Sequence, residues 1–162
     1  MNNEKGYVAA VLIALVVISV VAASYFVFVK SAPSGYSTIY LLDSQKKAID
    51  YPQVLVANQN STFNVWVGVV NNMGGTVRYQ VLVKITSDLS SVLPLNIQPI
   101  EAYNVTLGNG KTWQNSVPVT ENYVGSHSVV FELWQYNPDS GTYQFTNNNV
   151  NNYCVLNIQV VS

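Results

Sequence analysis

From Tyr7 to Val29 the chain runs for 23 residues without a charged side chain. As a helix this stretch is about 34 Å long, enough to cross a hydrocarbon core of about 30 Å. A lone segment inside lipid must satisfy its own backbone hydrogen bonds, which only a helix does. Val, Ile, Ala and Leu dominate the run. Tyr7 stands at one end and Tyr25, Phe26 and Phe28 at the other, where aromatic rings favour the membrane interface. Lys5 and Lys30 flank it and can reach the headgroups. The sequence therefore predicts a short flank over residues 1–6, a transmembrane helix over residues 7–30 that meets membrane lipid through Tyr7 to Val29, a linker over residues 31–35, and a domain over residues 36–162.

Two rival readings of the N-terminus stay open. A secretory signal would have an apolar core of about 7–15 residues and a small-residue cleavage site. Ala22-Ala23-Ser24 offers such a site, but apolar residues continue to Val29, which favours an uncleaved anchor. Glu4-Lys5-Gly6 followed at once by the apolar run resembles the class III signal of archaeal type IV pilins. That resemblance implies cleavage after Gly6 and a helix that packs into a filament core. The flanking charges are nearly balanced, so they barely decide topology. Asn60-Ser61-Thr62 and Asn104-Val105-Thr106 decide it better: both are N-glycosylation sequons, readable only outside the cytoplasm. The expected location is the cell membrane, single-pass, with the C-terminal domain outside.

The surface of that domain is built mostly without ions. Charged residues are 9% of the chain against roughly a quarter in ordinary proteins, and the net charge is −1. Such a balance leaves no basic footprint for nucleic acid. Neutral polar residues, Asn above all, supply the hydration instead. A lone cysteine rules out an intrachain disulfide, so stability must come from the core.

After the small-residue linker Ser31-Ala32-Pro33-Ser34-Gly35 the pattern is β throughout. In residues 76–86, Val77, Tyr79, Val81, Val83 and Ile85 alternate with Arg78, Gln80, Lys84 and Thr86, the period-2 signature of a half-buried strand. Phe63, Val65, Val67 and Val69 alternate before it, and Asn71-Asn72-Met73-Gly74-Gly75 between the two runs reads as a hairpin turn. Further strands are expected over residues 37–42, 53–57, 97–107, 112–119, 128–135, 142–146 and 153–161. The tract Asn147-Asn148-Asn149-Val150-Asn151-Asn152 reads as an exposed loop. Eight or nine short strands with no helix after the anchor predict an all-β, immunoglobulin-like antiparallel β-sandwich, preceded by the single transmembrane α-helix.

A search for chemistry finds little. His127, in Gly125-Ser126-His127-Ser128, reads as a plain loop histidine, without the nucleophile and carboxylate of a triad. Cys154 alternates inward on the last strand and reads as an inert buried thiol. Neither Cys nor His recurs, so no zinc pattern exists. Asp43, Asp50, Asp88, Glu101, Glu121, Glu132 and Asp139 are scattered, mostly at expected turns, without the close oxygen spacing of a calcium loop. No catalytic residue, metal site or cofactor is expected. Trp66, Trp113 and Trp134, with Tyr103, Tyr136 and Tyr143, form the one candidate ligand surface, an aromatic platform for sugars. Ordinary core or loop packing is the competing reading.

Ile39-Tyr40-Leu41-Leu42, Ala48-Ile49-Asp50-Tyr51-Pro52, Val67-Gly68-Val69-Val70-Asn71-Asn72, Tyr79-Gln80-Val81-Leu82-Val83 and Phe131-Glu132-Leu133-Trp134-Gln135-Tyr136-Asn137 occur in an order that resembles the archaeal domain of unknown function 1616 family. The resemblance covers about residues 36–161. It implies a membrane-attached extracytoplasmic domain and carries no activity. The expectation is a non-enzymatic cell-surface domain, a structural or protein-interaction component of an archaeal envelope that works through protein partners or self-assembly. A pilin-like filament subunit and a carbohydrate-binding module are the alternatives.

Overall fold

The computed structural model describes residues 2–24, 35–88, 90, 92–145 and 152–162. The chain divides into two compact units, Met1–Ser34 and Gly35–Ser162.

The first unit contains helix α1 (Asn2–Ser24). Val11, Leu12, Ile13, Leu15, Val16, Val17, Ile18, Val20 and Val21 are all more than half exposed, so the helix is apolar all round and not on one stripe. Its two serine hydroxyls are turned inward on their own backbone: Ser19 Oγ donates to Leu15 O at 2.8 Å and Ser24 Oγ to Val20 O at 2.7 Å. Among the described residues no helix is long and apolar enough to cross a membrane. The expected span continues over residues 25–29, and these, Lys30 and the linker before Gly35 lie outside the described residues.

The second unit is a two-sheet sandwich. Its strands are β1 (Tyr36–Leu42), β2 (Val54–Val56), β3 (Thr62–Asn72), β4 (Val77–Thr86), β5 (Glu101–Leu107), β6 (Lys111–Thr120), β7 (Gly125–Asn137), β8 (Thr142–Gln144) and β9 (Tyr153–Val161). The smaller sheet has the order β1-β3-β6 and the larger β2-β9-β7-β4-β5, with β8 paired to the end of β7. Alternation sends the odd-numbered residues of β3, β4, β6 and β7 and the even-numbered residues of β9 inward. Val65, Val67 and Val69 of β3 and Val117 and Val119 of β6 join Tyr79, Val81 and Val83 of β4, Val129 and Phe131 of β7, and Val160 of β9 in one core at 0% exposure. Each such valine contributes about 1.5–3 kcal/mol by leaving water. Tyr79 can be buried because its hydroxyl is hydrogen-bonded to that of Ser37.

Three expectations need correction. The runs joined by residues 71–75 are not a hairpin: β3 pairs with β1 and β6, while β4 pairs with β5 and β7. The turn instead carries the chain from one sheet to the other. Asn71, 0% exposed, builds that corner. Its Nδ2 donates to Gly75 O at 2.8 Å and Leu107 O at 2.7 Å, its Oδ1 accepts from Met73 N at 2.9 Å, and its carbonyl accepts from Gly110 N at 2.6 Å. One side chain thus ties the β3–β4 crossing to the β5–β6 crossing. Gly74, at φ 84°, supplies the left-handed residue this turn needs.

The sandwich is also not antiparallel throughout, since β2 runs parallel to β9. The chain changes sheets between β1 and β2, so no tight turn obliges β2 to reverse against its neighbour. Finally, the strand expected over residues 97–107 begins only at Glu101. Pro94 and Pro99 lack the N–H a ladder requires, and residues 92–100 instead pass over the outer face of the larger sheet, where the buried pair on β4 and β7 holds Leu95.

Candidate functional site

The even-numbered residues of β4 and β7 point away from the core, yet Lys84, Ser128, Val130 and Glu132 among them are buried. Lys84 is 3% and Glu132 0% exposed, and they form an ion pair at 2.8 Å. The segment that covers them is gripped by both of its backbone groups at one residue. Lys84 Nζ donates to Leu95 O at 2.6 Å, and Leu95 N donates to Glu132 Oε1 at 2.6 Å. Trp134 Nε1 adds a third bond to the carboxylate, at 2.9 Å from Oε2. Every strong donor and acceptor here is satisfied within the protein, as a buried charge pair requires. The arrangement is a clamp for the β4–β5 connection and leaves no group poised for chemistry. The sequence shows Glu132 as one of seven scattered carboxylates, inside an expected strand; its even-number parity with Lys84 across β4–β7 is the one signal for the pair.

Beyond the clamp the same face carries a row of rings. Trp134 meets Phe145 with centroids 5.6 Å apart, and Tyr136 meets Tyr143 edge-on at 5.4 Å. The Arg78 guanidinium sits 3.4 Å from the Tyr136 centroid. Cross-strand register explains the cluster: Tyr136 faces Tyr143 across β7–β8, and Trp134 faces Gln80 across β4–β7.

The expected platform of Trp66, Trp113 and Trp134 does not form. Trp113 pairs with the core residue Val69, so its side chain takes the inner face and packs on Tyr103 at 5.9 Å. Trp66 belongs to the outer face of the smaller sheet, where Lys46 Nζ lies 3.9 Å from its ring. Trp134 lies on the outer face of the other sheet. Side-chain parity therefore sends the three tryptophans to three separate layers. Of the expected aromatics, Tyr103 and Trp113 pair on the inner face, while Trp134, Tyr136 and Tyr143 share the outer face of the larger sheet, with Phe145 against Trp134.

On the smaller sheet Tyr40 lies across Gly68. A Cβ at that glycine would sit 2.1 Å from Tyr40 Cζ, and Gln114 Nε2 donates to the Tyr40 hydroxyl at 2.6 Å. The ring fills the space that a side chain on β3 would otherwise occupy.

His127 is not a loop residue. It lies within β7, 7% exposed, with Nε2 at 2.7 Å from Tyr123 O and Nδ1 at 3.9 Å from Glu121 Oε2. Its neighbours Ser126 and Ser128 donate instead to Gln159 and Asn157 across β9. Asp43 is likewise buried, at 4%, where its Oδ1 accepts from Gln45 N and Lys47 N and shapes the loop after β1. Cys154 faces inward against the core, and burial pushes its thiol up to about 11. Burial also raises Tyr51, with smaller contributions from Cys154 and Asp43. Its hydroxyl donates to Leu41 O at 2.8 Å, and Cys154 Sγ reaches Ile39 O at 3.5 Å. These two groups cap carbonyls of the edge strand β1, blunting an edge that would otherwise invite pairing.

Both sequon asparagines are exposed. Asn60 lies in the β2–β3 turn, and Asn104 lies on edge strand β5, where its Oδ1 accepts from Gln80 Nε2 at 3.0 Å. Gly6 lies within α1. Among the described residues no three His, Cys, Asp or Glu side chains converge as a metal site would need.

No curated protein matches the chain. Among solved structures, the crystal structure of the CARDB domain of a Pyrococcus furiosus protein, in complex with di-metal ions, superposes with a TM-score of 0.52 at 19% identity, over 80% of this chain and 90% of that one. The solution structure of the same domain gives 0.53 at 20% identity, over 78% and 95%. These neighbours share the sandwich fold. The family model for a domain of unknown function (DUF1616) matches residues 30–158. With most of its length inside that match, the chain belongs to the DUF1616 family of domains of unknown function.

Proposed function

We propose that the protein is a non-enzymatic, membrane-anchored cell-surface domain that serves a cell-envelope assembly through protein contacts. One observation carries this reading. Every described large apolar side chain of α1 is exposed, on all sides of the helix, and both serine hydroxyls are withdrawn onto the backbone. Such a surface is stable only against lipid or other apolar helices. The sequence continues it through residues 25–29, which completes a membrane-crossing length. The body supports the same reading. Its two-sheet strand order supports an immunoglobulin-like sandwich, its buried ion pair is spent on holding a loop, and its histidine and thiol are enclosed. The di-metal ions belong to the crystallised neighbour; the reading proposed here includes no metal. Alkaline carbonate washing of membranes tests the anchor. The full chain stays in the pellet until detergent is added; its recovery in the wash overturns the proposal.

The filament alternative uses the same observation, because a helix apolar all round also suits the core of a helical bundle. Intact mass of protein from native membranes separates the two: loss of residues 1–6 supports the filament, and their retention supports the anchor.

A further inference from the structure

We propose that Asn104 carries an N-linked glycan whose core sugars lie over Trp134 and Arg78 on the outer face of the larger sheet. The inference rests on the extracytoplasmic placement proposed above. It begins from register. Gln80 of β4 faces Asn104 of β5 on one side and Trp134 of β7 on the other, so the three residues form one row across the sheet. Two strand spacings, about 10 Å, separate Asn104 from Trp134, a gap a core disaccharide can bridge. Arg78 and Tyr136 form the adjacent row, about 7 Å along the strands.

The amide is presented for this modification. Gln80 Nε2 engages Asn104 Oδ1, while no described hydrogen bond uses Asn104 Nδ2. That nitrogen takes the glycan from a lipid-phosphate-linked oligosaccharide: its new bond to the anomeric carbon forms as the carbon–phosphate oxygen bond breaks, the amide gives up one proton and the lipid phosphate leaves. The bond to Oδ1 survives glycosylation and fixes the amide plane. Thr106, the third residue of the sequon, is exposed on the same face. A sugar arriving from Asn104 meets an apolar ring for the C–H face of its pyranose and a guanidinium for its hydroxyls. The other sequon lacks this setting: Asn60 sits in a turn whose backbone is bonded to Val56. The sheet-face rings that the sequence suggested as a platform for free sugars thus gain an occupant tethered to the chain itself.

The test uses full-length protein from native membranes. Glycopeptide mass mapping is expected to find Asn104 modified in the wild type and in Thr106→Ser, and unmodified in Thr106→Ala. In detergent the Thr106→Ala protein is expected to melt about 3 °C below the other two, the shift of one modest contact in a domain of this size. In unglycosylated protein from a bacterial host the three variants are expected to melt together. An unmodified Asn104 in protein that pellets with membranes refutes the glycan and leaves the anchor standing. A modified Asn104 with equal melting temperatures refutes the packing over Trp134. Recovery of the native chain from the cytosol overturns both this inference and the reading beneath it.

Discussion

Replacing Glu132 by alanine removes the acceptor of three buried hydrogen bonds, from Lys84 Nζ, Leu95 N and Trp134 Nε1. The Lys84 side chain, 4% exposed, keeps Leu95 O as its remaining hydrogen-bond partner, with the Trp134 ring 5.8 Å away. Breaking a buried ion pair from one side costs about 3–5 kcal/mol, because the remaining charge stays desolvated. Against a total stability of about 5–15 kcal/mol, that is a large fraction. For a domain of this size it lowers the melting temperature by roughly 10–16 °C. The double variant Lys84→Met with Glu132→Leu removes the stranded charge. It still leaves the Leu95 N–H and carbonyl without partners, a residual deficit of about 1–3 kcal/mol. Chemical denaturation followed by far-ultraviolet circular dichroism measures all three proteins, and hydrogen exchange at Leu95 is expected to accelerate in both variants. If Glu132→Ala falls within about 1 kcal/mol of wild type, the clamp contributes no net stability and the reasoning fails.

Asn71→Ala unties both sheet crossings and is expected to cost about 3 kcal/mol, read by the same denaturation, since three side-chain hydrogen bonds vanish at a buried site. Gly68→Ala displaces the Tyr40 ring from its bond to Gln114 and is expected to cost about 1–2 kcal/mol. In a Tyr40→Ala background the same change is expected to cost almost nothing; equal costs in both backgrounds refute the stacking. Burial raises Cys154 from 9.0 to about 11, so between these values the unfolded chain releases a proton that the folded chain keeps. Stability is therefore complete below about pH 9 and falls as pH rises toward 11. Cys154→Ala is expected to flatten that decline in alkaline melts, and an unchanged slope contradicts the burial of the thiol.

Alternation was readable wherever burial followed parity. The inward sets of β4 and β9, including Tyr79 and Cys154, lie where period-2 reading puts them. Parity names a face; it does not say what covers it. Lys84 was correctly assigned to the outer face of β4, but that the segment around Leu95 returns to cover it depends on Glu132, distant in sequence. The Asn-Gly-rich turn at residues 71–75 failed for a related reason. A hairpin and a sheet-to-sheet crossing ask for the same left-handed and hydrogen-bonding residues, and only the partners of β3 and β4 distinguish them. The tryptophans were grouped by chemistry, whereas their odd and even positions on strands of two sheets already dictated their separation. His127 was misplaced because β7 begins at Gly125, earlier than its Gly-Ser start suggested.

Protease treatment of intact cells, followed by immunodetection of the sandwich, addresses the placement of the two units most directly. The account predicts that the domain is degraded from outside while a cytosolic marker survives, and that undigested chain partitions with the membrane. Protection of the domain until the cells are lysed contradicts it.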